Sequence, residues 1–369
     1  MKAWPILGIA IIQGTLFLLH WFIYATIIGI WGGLGPAGNL TLQVVMSVLA
    51  LSFTTAAMLG FFFANRLVTV LYWVASVWLG LLNFIFLAAL LSRIYGRVMR
   101  FAGLAGGQRQ VAAALFALAL AAGVYGLVNA RVLRTRRIAV RLPGLPESWR
   151  GRTGLVLSDL HLGHLNGPGF ARGIVERAAR LNPDIVFLPG DVFDGAKADA
   201  KALAAPFKML RPPFGIYYTA GNHDEFGDAV HYAKVLTGCG IRVLENEKVK
   251  VDGLSIVGVP YGDSTYPIRM KATLEKLRGL NGEATILLNH VPNRLPIVEQ
   301  SGVALMLSGH THGGQIFPFT WLTRRAFGKF TYGLQRFGDL QVYTSSGAGT
   351  WGPPMRVGTH PEMVLLRFE

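Results

Sequence analysis

The first third of the chain is dominated by apolar residues, which form four long runs at 5–31, 41–64, 67–91 and 111–129. Each run approaches or exceeds the roughly 20 residues that a helix needs to cross the hydrocarbon layer of a membrane. A helix also satisfies its own backbone hydrogen bonds, as lipid requires. The runs are separated by turns at 32–36 and 65–66 and by an arginine-bearing loop at 92–110. This pattern predicts a bundle of four transmembrane helices.

From about residue 137 onward, short β-branched runs alternate with stretches of helical periodicity. The predicted strands are 154–158, 185–188, 216–219, 254–259, 284–289, 303–308, 340–344 and 363–368. The predicted helices are 169–181, 196–210, 228–237, 267–280 and 294–301. Such alternation, with largely buried strands, predicts an α/β domain. We therefore expect a transmembrane region at 1–130, a basic juxtamembrane linker at 131–152 and an α/β domain at 153–369.

Charge is distributed unevenly along the chain. Charged residues make up 15% of it and the formal net charge is +15, whereas soluble domains contain roughly 25% charged residues. No acidic residue precedes Glu147, but 11 basic residues do, which leaves 24 basic and 20 acidic residues in the remainder. The basic excess flanks the apolar runs and therefore indicates a membrane partner rather than nucleic acid. The one cysteine, Cys239, excludes an internal disulfide and is expected to be a small buried residue.

The basic residues also predict the side of the membrane on which the C-terminal domain lies. With four crossings, that side holds Lys2, Arg66 and five arginines at 131–141, and the other side holds Arg93, Arg97, Arg100 and Arg109. The larger number of basic residues favours the cytoplasm. We therefore expect a multi-pass protein of the cell membrane with a cytoplasmic C-terminal domain, although Arg136 and Arg137 could instead bind anionic headgroups.

Polar side chains follow five of the predicted strands at the point where each strand ends. The segments are Asp159-Leu160-His161, Gly190-Asp191-Val192-Phe193-Asp194, Gly221-Asn222-His223-Asp224, His290-Val291-Pro292 and Gly309-His310-Thr311-His312. In α/β sheets, the residues beyond the carboxyl ends of the strands gather at one edge. Any one segment alone is typical of a helix cap or a turn. All five together would bury costly polar groups in one cleft unless a cation balanced them.

The donor groups in these segments predict a dinuclear metal centre. Mixed oxygen and nitrogen donors suit a divalent transition ion, and one tetrahedral site would use only three or four of them. Seven are available: Asp159, His161, Asp191, Asn222, His290, His310 and His312. A bridging carboxylate would let them hold two ions about 3.5–4 Å apart, which would convert a shared water into hydroxide for attack on phosphorus. Whether the ions are Mn, Fe or Zn stays open.

Together, the five segments resemble the calcineurin-like metallophosphoesterase superfamily, and the resemblance runs from about residue 137 to the C-terminus. It implies a metallophosphoesterase-type α/β sandwich at 153–369. For the ligands it implies that the first ion is held by Asp159, His161 and His312, that Asp191 bridges, and that the second ion is completed by Asn222, His290 and His310. It further implies that His223 is the catalytic histidine, which contacts the phosphoryl oxygens and protonates the leaving group. Asp194 would orient its ring, and Asp224 would fix the loop.

One departure from the superfamily narrows the expected function. The Ser/Thr protein phosphatase branch has Arg-Gly directly after the carboxylate that corresponds to Asp194, whereas Gly195-Ala196 follows it here. This disfavours a protein phosphatase. The tail instead resembles the bacterial membrane-associated branch of YkuE- and YaeI-type phosphoesterases, in its segments Gly313-Gly314-Gln315 and Gly347-Ala348-Gly349-Thr350 and in Arg356 followed by Pro361-Glu362. That branch includes, by resemblance, enzymes that act on lipid-linked diphosphates such as UDP-diacylglucosamine.

We therefore expect a membrane-anchored phosphohydrolase that cleaves a phosphate mono- or diester or a pyrophosphate, with lipid-linked substrates among the candidates. A nuclease or nucleotide phosphodiesterase on the same metal centre is one alternative, but it would need a basic stripe with stacking aromatics. A non-catalytic membrane regulatory protein is another, although the apolar runs contain no acidic residue to line an ion path. No nucleic-acid partner is expected, and the oligomeric state stays open.

Two features near the expected site allow two interpretations each. Segment 317–330 mixes aromatic residues with arginine and lysine, which suits either the headgroup level of a bilayer or an ordinary loop that covers the cleft. His164 and Asn166 follow the first motif and could either contact substrate phosphate or lie in a solvated turn.

Overall fold

The computed structural model describes residues 3–104, 106–277 and 283–369, which separate into two compact units. The first unit comprises Met1–Val128 and Gly352–Met355, and the second comprises Asn129–Trp351 and Arg356–Glu369. Lys2 and the end of the predicted helix 267–280 lie outside the described residues.

The part of the first unit that the structure describes contains four long helices: α1 (Ala3–Trp31), α2 (Gly35–Phe62), α3 (Arg66–Phe101) and α4 (Gln108–Asn129). All four are long and apolar enough to cross a membrane, as predicted. The third differs in its bounds, because α3 continues through the first residues of the predicted arginine-bearing loop. At about 1.5 Å per residue, its 36 residues extend well beyond the hydrocarbon layer of about 30 Å.

Several polar side chains inside this unit are paired between helices. The indole Nε1 of Trp78 donates to His20 Nε2 at 2.9 Å, and Gln13 Nε2 donates to the carbonyl of Ala50 at 3.0 Å. Pairing of this kind removes the cost of placing unsatisfied polar groups among apolar helices.

Among the described residues of the second unit, twelve strands form two sheets. They are β1 (Arg134–Val140), β2 (Thr153–Val156), β3 (Ile185–Leu188), β4 (Ile216–Tyr218), β5 (Ile241–Val243), β6 (Glu247–Val251), β7 (Leu254–Gly258), β8 (Thr285–Leu288), β9 (Leu305–Ser308), β10 (Gly333–Phe337), β11 (Leu340–Thr344) and β12 (Glu362–Phe368). One sheet has the order β1-β12-β2-β3-β4-β5 and the other β10-β11-β9-β8-β7-β6. Strands β2 to β5 are mutually parallel, as are β7, β8, β9 and β11. Each sheet therefore collects several carboxyl ends at one edge.

The helices of this unit are α5 (Pro168–Arg180), α6 (Ala200–Ala204), α7 (Asn222–Phe226), α8 (Ala229–Thr237), α9 (Tyr261–Ser264), α10 (Pro267–Lys276), α11 (Leu295–Gln300) and α12 (Phe319–Phe327). The predicted helix 196–210 is replaced by the short α6 and a 3₁₀ turn at Ala205–Met209. Pro206, at the start of that turn, has no N–H to continue an α-helix.

The two sheets share one apolar layer and each has a second layer under helices. In β3, alternate side chains point to opposite faces: Phe187 joins the cluster between the sheets, and Val186 packs with α5. In the other sheet, Ile286 joins the shared cluster, while Leu287 packs with α10 and α11. The predicted α/β sandwich is thereby confirmed.

Strand β1 occupies part of the segment that was predicted to be a juxtamembrane linker. It pairs in parallel with β12 from Arg134 to Val140, and further along the same segment Trp149 is completely buried. The difference arises because β1 is an edge strand whose arginines give it a polar pattern, as is common for edges. Residues 134–140 thus belong to the folded sheet.

We predict that Trp149→Ala destabilises the second unit by about 3–5 kcal/mol, the usual cost of removing a large buried aromatic side chain. The indole packs on Phe368 with ring centroids 5.5 Å apart and donates to the carbonyl of Asp252 at 3.0 Å. Differential scanning fluorimetry of the detergent-solubilised protein should show a lower melting temperature. Arg150→Ala, which removes only an exposed ion pair, is the control. Equal melting temperatures for the two variants would contradict the packing of Trp149 in the core and would favour a linker at 131–152.

Candidate metal centre

The strand ends of both sheets bring the predicted polar residues into one cluster. In the described part of the chain, three groups have ligand atoms within 4.8 Å of one another. The first is Asp159, His161 and His312, the second is Asp191, His290 and His310, and a third, which overlaps the first, is His161, Asp194 and His223. Asn222 joins the second group, since its Oδ1 lies 2.9 Å from His310 Nδ1. The first and second groups coincide with the two ligand sets that the resemblance implies. The role of each residue as a metal ligand stays a prediction.

Asp191 lies between the two groups. Its Oδ2 is 3.0 Å from His290 Nε2 in the second group and 3.7 Å from His161 Nε2 in the first. Its Oδ1 accepts the backbone N–H of His223 at 2.9 Å. One carboxylate therefore faces both groups, which is the position that a bridging ligand requires.

The first group is compact and buried. His161 Nε2 and His312 Nε2 are 3.1 Å apart, and His312 Nε2 lies 3.5 Å from Asp159 Oδ1. The same Asp159 oxygen accepts the backbone N–H of His310 at 2.9 Å, while its other oxygen accepts the hydroxyl of Ser158. These contacts fix the Asp159 carboxylate and leave the two imidazole nitrogens directed at the same small volume.

The hydrogen bonds around His290 make it suitable as a ligand. Its Nδ1 lies 2.9 Å from the carbonyl of Pro189, and because a carbonyl can only accept, Nδ1 carries the proton. In the neutral ring Nε2 would then present a lone pair, the arrangement commonly found for metal-bound histidine. Among the described residues, this buried Nε2 has no hydrogen-bond partner. An unpartnered buried nitrogen beside carboxylates fits a divalent cation.

Burial and neighbouring charges shift the pKa values in this cluster in opposite directions. Burial is the main cause of the raised pKa of Asp159. Burial alone would lower the pKa of His290, but the carboxylates of Asp191 and Asp159 outweigh it and raise the pKa to about 9. The pKa of His310 falls to about 3, because it is buried and lies near His290. The cluster therefore combines a neutral imidazole at His310 with a protonated one at His290, whose positive charge balances the buried carboxylates in place of a metal ion.

The backbone is strained at most of the predicted ligands. Left-handed φ angles occur at Asp159 (53°), His161 (46°), Asp191 (52°), His310 (69°) and His312 (49°). For residues other than glycine such conformations cost of order 1–3 kcal/mol each and cluster at functional sites. The strain sets the direction in which each side chain leaves its strand end.

Two glycines allow the backbone to approach the carboxylates closely. A Cβ atom on Gly309 would lie 2.1 Å from Asp159 Oδ2, and one on Gly221 would lie 2.2 Å from Asp191 Oδ1. Any side chain at either position would displace the carboxylate. The motifs Gly221-Asn222-His223 and Gly309-His310 therefore need their glycines for space.

His223 is positioned by Asp194, although not by its carboxylate. His223 Nδ1 lies 3.1 Å from the Asp194 carbonyl but 4.0 Å from Oδ1 of the same residue. The carboxylate is closer to His161, with Asp194 Oδ1 3.4 Å from His161 Nδ1. Burial and the neighbouring His161 lower the pKa of His223.

Asp224 and Asn166 hold the surrounding loops. Asp224 accepts the backbone N–H groups of Phe193, at 2.8 Å, and Gly221, at 2.9 Å, which ties the loop after β3 to the loop after β4, as expected for a loop-fixing residue. Asn166 is buried and donates to the carbonyls of Leu160 and His161. Its side chain is thus engaged with backbone, which matches neither of the two interpretations of this residue.

Arg356 supports the site in a way that sequence reasoning missed. Its guanidinium is completely buried, and its Nη2 donates to the carbonyls of Ser346 and Gly349, both at 2.6 Å. Its Nη1 donates to the carbonyl of His312 at 3.3 Å. Burial lowers its pKa only to about 10, so the group stays cationic at neutral pH. Sequence analysis identified Arg356 only as part of the resemblance of the tail, because most of its partners are backbone carbonyls, which any residue type can supply.

Aromatic side chains border the cluster. The ring of Trp351 lies 5.5 Å from that of His223, and the ring of Phe226 lies 5.9 Å from it. Phe327 lies 6.2 Å from His310. Trp351 and Phe226 expose 53% and 66% of their surfaces, so the rim of the site is both aromatic and accessible.

Known proteins resemble this chain in sequence. The family described as Calcineurin-like phosphoesterase matches residues 154–314. A Danio rerio protein named "Transmembrane protein with metallophosphoesterase domain" is 32% identical over 312 residues, 79% of this chain and 71% of that protein. An uncharacterized metallophosphoesterase of Helicobacter pylori is 33% identical over 58% of this chain and 59% of its own length. The uncharacterized metallophosphoesterase YkuE of Bacillus subtilis is 27% identical over 68% of this chain and 91% of its own length.

The chain therefore spans about three-fifths to nine-tenths of the length of these relatives. Four apolar helices and a relative named as a transmembrane protein indicate a membrane protein. The extent of the match to the Danio rerio protein, together with the family match over the strand-end motifs, shows that the chain belongs to the calcineurin-like metallophosphoesterase family.

Proposed function

We propose that this protein is a membrane-anchored phosphohydrolase that uses two divalent ions, Mn, Fe or Zn, to hydrolyse a phosphate ester or a pyrophosphate. The observation that carries the proposal is the position of Asp191, whose Oδ2 faces His290 of one ligand group and His161 of the other. A single carboxylate shared between two donor groups is the arrangement that a dinuclear centre needs.

Each ion has its own donor set in this proposal. The first would be held by Asp159, His161 and His312, the second by Asn222, His290 and His310, and both by Asp191. Two adjacent divalent ions supply a nucleophile at neutral pH by lowering the pKa of a water, and they neutralise charge on the phosphoryl oxygens. The absence of thiolates from this set agrees with a catalytic rather than a structural site.

His223 would transfer the proton. The Asp194 carbonyl can only accept, so His223 Nδ1 carries a proton and Nε2 is the nitrogen that exchanges one. The protonated Nε2 can donate a hydrogen bond to a phosphoryl oxygen. It can then transfer its proton to the oxygen of the leaving group. The lowered pKa of this imidazole makes its protonated form a stronger acid. Asp194 is a positioning residue in this step.

We predict that Asp191→Ala reduces hydrolysis of an aryl phosphodiester to the uncatalysed rate, because both ligand groups lose the carboxylate between them. Elemental analysis should show that the variant binds fewer Mn ions than the parent protein. Asp199→Ala is the control, since Asp199 is an exposed cap of α6 and should retain both properties. Normal activity in Asp191→Ala would refute the bridging assignment.

We predict that His223→Gln lowers kcat by about 10²–10⁴-fold for an alkyl phosphoester, the range expected when a general acid is lost. The loss should be much smaller for a p-nitrophenyl ester, because p-nitrophenolate departs without a proton. His231→Gln, an exposed change in α8, should leave both rates unchanged. Equal losses with both leaving groups would contradict the general-acid role.

We predict that the C-terminal unit lies in the cytoplasm, because the basic residues that share its side outnumber those on the other. A fluorescent protein fused after Glu369 should fluoresce in cells, and alkaline phosphatase fused at the same point should be inactive. The reverse pair of results would place the unit on the other side of the membrane.

A further inference from the structure

Helix α12 displays an apolar surface to its surroundings. All nine of its residues are at least partly exposed. Phe319, Trp321 and Leu322 expose 51%, 61% and 48% of their surfaces, and Phe317, just before the helix, exposes 52%. Large apolar side chains that are grouped and accessible usually mark a contact with a partner or a membrane.

The other side of α12 attaches it firmly to the second unit. Thr320, Thr323 and Phe327 are only half exposed, and their spacing of three and four residues places them on one helix face. The start of the helix packs closely on the loop after β9, where a Cβ atom on Gly314 would lie 2.4 Å from the Cα of Thr320. The hydroxyl of Thr331 donates to the carbonyl of Thr323 at 3.3 Å. The apolar surface is therefore held in a defined direction.

The charges around this surface have one sign. Arg324, Arg325 and Lys329 are exposed, and the sequence contains no acidic residue between Glu299 and Asp339. Aromatic and aliphatic side chains flanked by cations are typical of segments that lie in the headgroup region of a bilayer. Near an anionic membrane surface, basic residues add electrostatic attraction to such an apolar contact.

We propose that α12 lies in the interface of a bilayer that contains anionic lipids, with Phe317, Phe319, Trp321 and Leu322 inserted among the lipids. The bilayer is the partner that the observations favour, because the described residues also include four helices that are long and apolar enough to cross a membrane. The nine residues of α12, at about 1.5 Å each, are too short to cross the hydrocarbon layer and suit the interface.

This position has a consequence for the substrate, which rests on the proposed function. Phe327, at the end of α12, lies 6.2 Å from the ring of His310, so the helix adjoins the metal centre. With α12 in the interface, the centre would lie close to the level of lipid phosphates. The substrate class would then be a phosphoester or pyrophosphate of a lipid headgroup.

The depth of α12 can be measured with spin labels on the full chain in vesicles of phosphatidylcholine and phosphatidylglycerol. Cys239, the one native cysteine, is replaced by alanine, and a single label is attached through Leu322→Cys. Ala179→Cys, exposed on α5, is the matched control. We expect the label at 322 to collide with lipid-soluble oxygen and to be shielded from a water-soluble nickel chelate, and the control to show the reverse. Equal exposure of both labels to nickel, or shielding of 322 from both reagents as at a protein contact, would overturn the proposal.

The contribution of charge is tested with Arg324→Gln and Arg325→Gln in one chain. In vesicles with phosphatidylglycerol, the nickel shielding of the label at 322 should fall to the value that the parent gives in phosphatidylcholine alone. Arg177→Gln, an exposed change on α5, should not alter it. Unchanged shielding in the double variant would contradict the role of anionic headgroups.

Hydrolysis of a water-soluble aryl phosphodiester, measured on the same samples, tests the proposed function independently of the interfacial position of α12. Shielding without hydrolysis would refute the proposed function and support the interfacial position of α12. Hydrolysis without shielding would support the metal centre and overturn the interfacial position.

Discussion

The burial of two carboxylates at one place is the constraint on which the second unit depends. Asp159 and Asp191 are 0% and 2% exposed, and removing a carboxylate from water costs several kcal/mol unless opposite charge and hydrogen bonds replace the solvent. Part of that replacement comes from the backbone, since each carboxylate accepts an N–H from a neighbouring loop, that of His310 or His223. The remainder requires positive charge, which buried imidazoles supply as protonated rings and divalent cations supply more effectively.

This requirement explains the backbone of the cluster and the side chains that surround it. Five of the seven predicted ligands adopt left-handed backbone angles, and such strain persists only where the surroundings hold it. Asp224 ties two of the ligand loops together through backbone N–H groups. Arg356 holds the last ligand loop through backbone carbonyls. Each of these side chains is buried, polar and directed at the main chain, so each stabilises geometry without taking part in the proposed chemistry.

The sequence could predict the features that leave a pattern of residue types, and it could not predict the others. The strand-end residues were predictable because each follows a short apolar run, and β3 has the predicted bounds, 185–188. Strand β1 was not predictable, because an edge strand with three arginines lacks the apolar pattern of a buried strand. The supporting role of Arg356 was not predictable, because a backbone carbonyl can come from any type of residue. Spacing also could not distinguish the carbonyl of Asp194 from its carboxylate as the group that contacts His223.

Attachment to a membrane and orientation on it are separate problems for an enzyme whose substrate lies in the bilayer. Spanning helices keep a catalytic unit near the bilayer and raise its effective concentration there, but they do not determine which face of the unit meets the headgroups. The aromatic rim formed by Trp351 and Phe226 beside His223 also exposes large apolar side chains to water. The exposed surface of α12 is equally costly in water. In the proposed interfacial position of α12, a lipid surface would cover both features with a single partner, and it would orient the unit with its candidate metal centre toward the phosphates.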